Sequence, residues 1–559
     1  MSKMIRSPWT PLRALRTAAL SFALVAVGCE GDQGPQGDPG TQGEQGPKGD
    51  SATVDPALST VDKAFAGIGG KAAIQGLQGF AMETAGRRWV PGEGFRPEEI
   101  LLGNTYDGTQ VRYDVKSDRL SIHHKRTLNV FSFNTPQDYT EIINGNRGYV
   151  EGTEHLFGFP TGNLLSDRTA AIRRQQRLLN PQLILKDIAA DGSIAKDGGP
   201  AVLDGSLHQL LVVNDPVYPL SLYVNAQTGK ISKLVTLEND PLHRDIPIEV
   251  FYTGWEATGS GTPLFPKQAH IAVNGDVLHE ETRKSVTVNG ALADSLFAFP
   301  AAASPVFNAE DASRGAANHQ FHMAFASIGI PLDGVQTFIQ PTELTPGVWF
   351  VGGSSHNSLA IEQDAGVVIV EAPLYPERST AIINWVKSEP KFDGKPITHV
   401  LATHHHDDHT AGLRAFVAEG AKVVVHEATA AHFRQIFRNP STIQPDPLAQ
   451  KPSAAISIMS VPTGGSIILP DSTNSVSAYT LATVHAADAL LFHVPSAKLA
   501  FQSDLYNPSS PVSPASAIGN GAKELHKAIT QTHSLAVDTV AGGHGGYAPI
   551  AELNGLANP

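Results

Sequence analysis

The chain has 559 residues, 41% of them hydrophobic and 17% charged, so it carries enough apolar material for two or more cores. A formal net charge of −13 excludes a general nucleic-acid partner, whose phosphates require a basic face. The 22 histidines, several of them tightly clustered, point toward metal instead.

The first elements in chain order are not part of a fold. Lys3, Arg6, Arg13 and Arg16 precede an apolar stretch from Thr17 to Gly28, too short to span a bilayer, which reads as a secretory signal over 1–28. It ends Ala26-Val27-Gly28 before Cys29, the only cysteine. The segment resembles a bacterial lipoprotein signal, with Ala26 where Leu is usual. That resemblance implies a lipid on Cys29 and a tether to the cell envelope outside the cytoplasm; the alternative is an ordinary cleavable signal. A lone cysteine leaves no intramolecular disulfide. Over 29–56, glycines at 31, 34, 37, 40, 43, 46 and 49 follow a collagen-like Gly-X-Y period, because only Gly fits a crowded triple-helix axis. Two readings stay open: a solvated spacer, or a stalk that makes a homotrimer.

From 57 to 300 the pattern is that of a mainly antiparallel β domain with few helices. A short helix (Ala57 to Ile68) leads into alternating runs, in which Val111, Tyr113 and Val115 share one face and Leu120 and Ile122 another. His208 to Val213, Ser221 to Val224 and Lys230 to Leu237 continue as strands, with Asn225 to Gly229 as a turn. An amphipathic helix is expected from Asp167 to Leu179, with Ser166 as its N-cap. Strands follow at Glu249 to Trp255, Pro266 to Val273 and Ser285 to Val288. This order, with Val250 to Trp255, Thr287 to Asn289 and Phe297 to Pro300, resembles the lipoprotein-carrier (LolA-like) half-barrel. The resemblance implies a curved sheet around an apolar groove; the alternative is a β domain that only packs on its neighbour. Residues 301–340, with His319 and His322, read as a linker and docking segment.

From 341 to 559 strands alternate with helices. Gly347 to Gly353, Ser358 to Gln363 and Val367 to Glu371 read as strands, and Glu377 to Ser388 as a helix. The strand Ile397 to Ala402 runs into His404, His406, Asp408 and His409, followed by a helix (Ala411 to Ala418) and the strand Lys422 to His426. In an extended or tightly looped segment residues i and i+2 point the same way, so His404 and His406 can grip one cation while Asp408 and His409 reach a second. His405 and Asp407 then point elsewhere. Imidazole with carboxylate suits zinc first, with iron and manganese as alternatives. Further on come His485 at a strand end, Asp504 after a hairpin, and His544 in Gly542-Gly-His-Gly-Gly546.

This ordered set resembles the metallo-β-lactamase superfamily over about 340–559, with Ser503 where Gly is common and Glu371 where Asp is frequent. The resemblance implies an α/β fold, the αβ/βα sandwich, and two divalent metal ions. It gives His404, His406 and His485 to one metal, Asp408, His409 and His544 to the other, and Asp504 to both. It implies a hydrolase in which a metal-bridging hydroxide attacks an ester, lactone, thioester or amide of a small molecule, polar or hydrophobic, with Asp408 as the catalytic residue that orients the water. His356 and Tyr506 are candidate substrate contacts, whereas His399, His426 and His493 read as core histidines. The competing reading is a non-catalytic lipoprotein that binds a hydrophobic ligand and keeps its metal domain for structure.

Overall fold

Alternation of apolar and polar residues builds thirteen strands into one antiparallel sheet in the first half of the described chain. The computed structural model describes residues 53–130, 134–158, 162–510 and 520–557. The expected signal segment, Cys29 and the Gly-X-Y triplets lie outside them. Ala52–Pro559 forms one unit.

Helices α1 (Thr60–Gly67) and α2 (Lys71–Gln75) lead into strands β1 (Gly79–Pro91), β2 (Ile100–Asp114), β3 (Arg119–Leu128), β4 (Thr135–Asn144), β5 (Arg147–Gly152) and β6 (Asn163–Leu164). Helices α3 (Ser166–Leu179) and α4 (Pro181–Ala190) follow. The second run comprises β7 (Ala195–Leu203), β8 (Ser206–Val213), β9 (Leu220–Asn225), β10 (Ile231–Asp240), β11 (Arg244–Glu256), β12 (Phe265–Val273) and β13 (Asp276–Val288). Each run is a meander, and β1 joins them by pairing with both β2 and β13.

One face of this sheet carries two apolar clusters. Phe65, Ile74, Leu178 and Ile184 from the helices pack against Leu211, Leu222, Leu234 and Val250 of the second run. Ala171 and Ile172 of α3 pack against Phe80, Val111, Leu120 and Ile143 of the first. Each such aliphatic contributes about 1.5–3 kcal/mol when fully buried. Between them α3 buries charge: Arg168 pairs with Glu141 at 3.0 Å and with Glu154, and Arg174 with Asp215 at 2.7 Å and Glu238 at 3.0 Å. The space under α3 is a cavity of about 30 Å³ lined by Arg88, His124, Arg126, Glu141, Gln175 and Glu281 among others. Val111, Ile122, Ile172 and Met323 line it as well, so this helix-covered interior is part polar and part apolar. Ser166 does not cap α3. Leu165 holds the cap position, and the Ser166 hydroxyl accepts from Asn308 N at 2.8 Å instead.

The stretch expected as a linker and docking segment contains two helices, α5 (Ala309–Ala317) and α6 (His319–Ser327). Asn308 caps α5 by accepting from Glu310 N and Asp311 N. His319 at the start of α6 is buried, with Nδ1 2.9 Å from Glu238 and Nε2 on Gln175.

The second half has two sheets. The first contains β14 (Gln340–Thr345), β15 (Val348–Gly352), β16 (Ser358–Gln363), β17 (Gly366–Val370), β18 (Ile397–Leu401), β19 (Lys422–His426) and β20 (Ile458–Val461) in that order. Within it come helices α7 (Pro376–Ser388), α8 (Asp407–Thr410), α9 (Leu413–Ala418) and α10 (Ala430–Ile436). The second contains β21 (Ser466–Leu469), β22 (Val476–Thr480), β23 (Leu490–Val494), β24 (Leu499–Gln502), β25 (Thr539–Gly542) and β26 (Tyr547–Pro549), with α11 (Gly521–Lys527) and α12 (Ile550–Ala557).

Period-two alternation decides the layering. Val368 and Val370 of β17 join Phe492, Leu499 and Phe501 of the other sheet in one cluster. Val367 and Ile369 face the opposite way, against Ile382, Val386 and Phe416 of the helices. Leu491 and Ala500 turn outward to Leu525 and Leu553 of α11 and α12. The parallel pairs β17–β18–β19 and β24–β25 end at one edge, where the loops that carry the histidines begin.

The halves interlock. Leu242, in the turn between β10 and β11, is 1% exposed and sits in the same cluster as Phe433 and Phe437. The Asp245 carboxylate accepts from Thr442 N at 2.9 Å and from Thr442 Oγ1 at 2.6 Å. Phe321 and Phe325 of α6, with Ile328 just after it, pack with Val90 and with Leu374 and Tyr375.

Candidate metal centre

Five segments of the second half converge at that sheet edge: the loop after β15, the turn from β18 into α8, the loop after β22, the residues following β24 and those following β25. Their side chains form two groups of four, each with ligand atoms within 4.8 Å of one another: His404, His406, His485 and Asp504, and His356, Asp408, His409 and His544.

Asp504 stands between the groups. Its Oδ2 lies 2.9 Å from Nε2 of His485 and 3.5 Å from Nε2 of His404. Its Oδ1 lies 3.1 Å from Nε2 of both His409 and His544. Asp504 adopts φ +72°, a left-handed backbone unusual for Asp, which turns the chain sharply after β24. The glycine-rich turn before His544 is needed for contact with this corner. A Cβ on Gly543 would lie 1.7 Å from Oγ of Ser503. Asn357 clamps the same turn, donating from Nδ2 to the carbonyls of Gly542 and Gly545, each at 3.0 Å.

The far nitrogen of most of these rings is already committed, which fixes the tautomer. His409 donates from Nδ1 to Oε2 of Glu371 at 2.7 Å. His544 donates from Nδ1 to the Ser355 carbonyl at 3.2 Å. His406 donates from Nε2 to the Gly94 carbonyl at 2.9 Å, so its Nδ1 faces the centre. Nδ1 of His404 is 3.0 Å from the Thr403 hydroxyl. Fully buried Arg378 donates to the His356 carbonyl at 2.9 Å and fixes the loop after β15.

Charge follows burial and neighbours. Burial holds His404 and His406 below the usual imidazole range, and holds His356 down to about 3, helped by the charge of His544. Neutral imidazole is the ligand form. In His409 burial acts the same way, but the carboxylates Asp408, Asp504 and Glu371 outweigh it and raise the ring well above that range. His544 is raised, against burial, by Asp504. For Asp504 and Asp408 burial is overcome by His409 first, so both carboxyls lie below the usual carboxylate range.

The donor set fits divalent metal ions. Asp408 Oδ1, His409 Nε2 and Asp504 Oδ1 are buried and make no hydrogen bond of acceptable geometry, although they lie close together. Buried polar atoms left in that state are costly unless something else satisfies them, and a cation bound between them would.

The seven residues expected as ligands, His404, His406, Asp408, His409, His485, Asp504 and His544, are all brought together. His356, expected as a substrate contact, stands among the donors of the second group, with Nε2 3.0 Å from Oδ2 of Asp408. Tyr506 is not brought to the site. The turn at Asp504 sends it into the apolar layer under α11 and α12, where its hydroxyl donates to Glu552 at 2.7 Å. His405 points away, Nδ1 on Asp488 at 2.7 Å, and Asp407 faces His243 at 3.7 Å. Sequence reasoning missed the loop after β1. Gly94 and the buried Glu93, which reach the centre from the other half, sit in an ordinary-looking Pro-Gly-Glu-Gly turn. Burial first, and Asp408 next, push the Glu93 carboxyl well above the usual range.

Residues 351–448 match the family model described as the metallo-beta-lactamase superfamily. Similar solved structures include a metallo-beta-lactamase from Pontibacter korlensis, at 19% identity over 40% of this chain and 100% of that chain, with a TM-score of 0.29. A metallo-beta-lactamase from Hirschia baltica shares 19% identity over 39% of this chain and 96% of that chain, TM-score 0.29. The mono-zinc form of the enzyme FIM-1 from Pseudomonas aeruginosa shares 19% over 39% and 93%, TM-score 0.28. No curated protein matches the chain.

Proposed function

We propose that the metallo-beta-lactamase superfamily domain in the C-terminal region of this chain is a hydrolase that works with two divalent metal ions, zinc first. The observation that carries this reading is Asp504, whose two carboxylate oxygens face two separate sets of imidazoles. When bound, the ions would lower the pKa of a shared water from about 16 toward 7 and polarise the substrate's reacting oxygen.

The chain's own groups do the rest. His404, His406 and His485 would hold one ion, and Asp408, His409 and His544 the other, with Asp504 shared and His356 beside the second. Glu371 and the Gly94 and Ser355 carbonyls keep the ligand nitrogens turned inward. Asp408 accepts from His356 on Oδ2, which steadies the carboxylate as a ligand and beside the water it would orient. The His544 side chain is 29% exposed, the most open of the eight, so substrate approaches on its side.

The bond cleaved is an ester, lactone, thioester or amide in a small molecule with apolar parts. The test joins metal analysis of the full chain, purified without chelator, to a panel of ester, lactone, thioester and β-lactam substrates. Two equivalents of metal and hydrolysis of at least one class, lost on chelation, are expected. Asp408→Asn should weaken the second metal equivalent and lose about 10²–10⁴ in kcat. One equivalent of metal, or no hydrolysis across the panel, would overturn the reading.

A further inference from the structure

The loop between β1 and β2, residues 92–99, leaves the thirteen-stranded sheet and ends among the donors of the other half. Three of its residues fix it there. Gly92, at φ +74°, passes so close that a Cβ on it would lie 2.6 Å from the Asp407 carboxylate. Gly94 offers its carbonyl to Nε2 of His406 at 2.9 Å. The Phe95 carbonyl accepts from Ala487 N at 2.8 Å, next to the loop that carries His485.

Glu93 lies between these anchors and is 6% exposed. Its Oε2 is 3.6 Å from Nδ1 of His406, the nitrogen that the Gly94 contact leaves facing the centre. Its Oε1 is buried with no hydrogen-bond partner. One oxygen of Glu93 and one donor atom each of His406 and Asp408 lie within 4.8 Å of one another. A carboxyl group that is buried, aimed at a ligand nitrogen and left unpartnered is placed as an oxygen donor to a cation would be.

We infer that Glu93 is a further metal ligand, supplied to the centre by the β-rich half of the chain on the side of His406. The inference rests on the metal-dependent reading above. It makes the centre a joint product of both halves, in which Glu93 would add one carboxylate to the donors around the ion on the side of His406.

The test uses the full-length chain and its Glu93→Gln and Glu93→Asp variants. Zn²⁺ affinity is measured by competition with a chromophoric chelator, and coordination by the visible absorption of the Co²⁺-loaded protein. Glu93→Gln should weaken one of the bound equivalents at least 10-fold and change the intensity of the Co²⁺ bands. Glu93→Asp should fall between it and wild type, and the far-UV circular dichroism of the metal-free variants should match wild type. Wild-type affinities and an unchanged Co²⁺ spectrum in Glu93→Gln would overturn the proposal, even if turnover fell, since a group acting only on substrate or water would do that. Failure of the wild-type chain to bind either ion would instead overturn the reading of the whole site.

Discussion

His409 and His544 are raised in pKa by the carboxylates around them, so in the absence of metal their protons offset the negative charge that cations would otherwise neutralise. Metal binding must displace those protons. A raised imidazole is charged below its pKa, so acid favours the proton over the metal. Metal affinity should therefore rise with pH through the usual histidine range and above it, with protons released on binding. Calorimetry in two buffers of different ionisation heat measures both, and a pH-independent affinity without proton release would contradict the assignment. At this scale the sequence is informative where chemistry is local. His404, His406, Asp408 and His409 are legible because their spacing alone points them at common centres. Tyr506 misleads because the left-handed φ at Asp504 cannot be read from Ser-Asp-Leu-Tyr. Gly94 stays hidden because its contact with His406 spans 312 positions.

Helix α3 shows what its periodicity conceals. The apolar stripe predicts a helix over 167–179, and one forms over Ser166–Leu179, but the stripe does not announce that Arg168 and Arg174 are buried as well. Glu141 carries the consequence. Burial alone would raise its carboxyl, but His124 and Arg168 outweigh burial and hold it at about 2. A depressed carboxylate stabilises the fold above its unfolded pKa of about 4.3, and that contribution is lost as pH falls toward 2. Glu141→Gln should cost about 3 kcal/mol at pH 7, since it leaves Arg168 short of a partner in the interior. The gap in Tm between variant and wild type should then narrow from pH 5 to pH 2. A gap that stays constant over that interval would show that Glu141 is not ionised in the folded chain. The strands were legible for a simpler reason: Val111, Tyr113, Leu120 and Ile122 alternate cleanly and are buried. Helices α5 and α6 were not, because a run rich in Ala, Ser and Pro reads as loose until its partners, Glu238 and Gln175, are in place.

The molecule as a whole depends on its junction. Leu242 of the β-rich half fills the core of the other half, Phe321 and Phe325 meet Leu374 and Tyr375, and Gly94 orients His406. Residues 341–559 expressed alone should lose these contacts and expose the vacated apolar surface. The excised piece is expected to be insoluble, or to bind metal more weakly than the intact chain. A soluble piece with an intact Tm and the full chain's metal content would show that the two halves are independent. The groups that build the proposed centre also come from distant parts of the chain, with Glu93 and Gly94 far upstream of His404 and His544 close to the last described helix. At about 5–20 residues per second, a ribosome releases His544 tens of seconds after the loop that reaches His406. Until then only the cluster from 404 to 409 and its early partners can meet an ion, and they form an incomplete set. Selection of the correct cation therefore belongs to the finished polypeptide, after synthesis, and not to the nascent one.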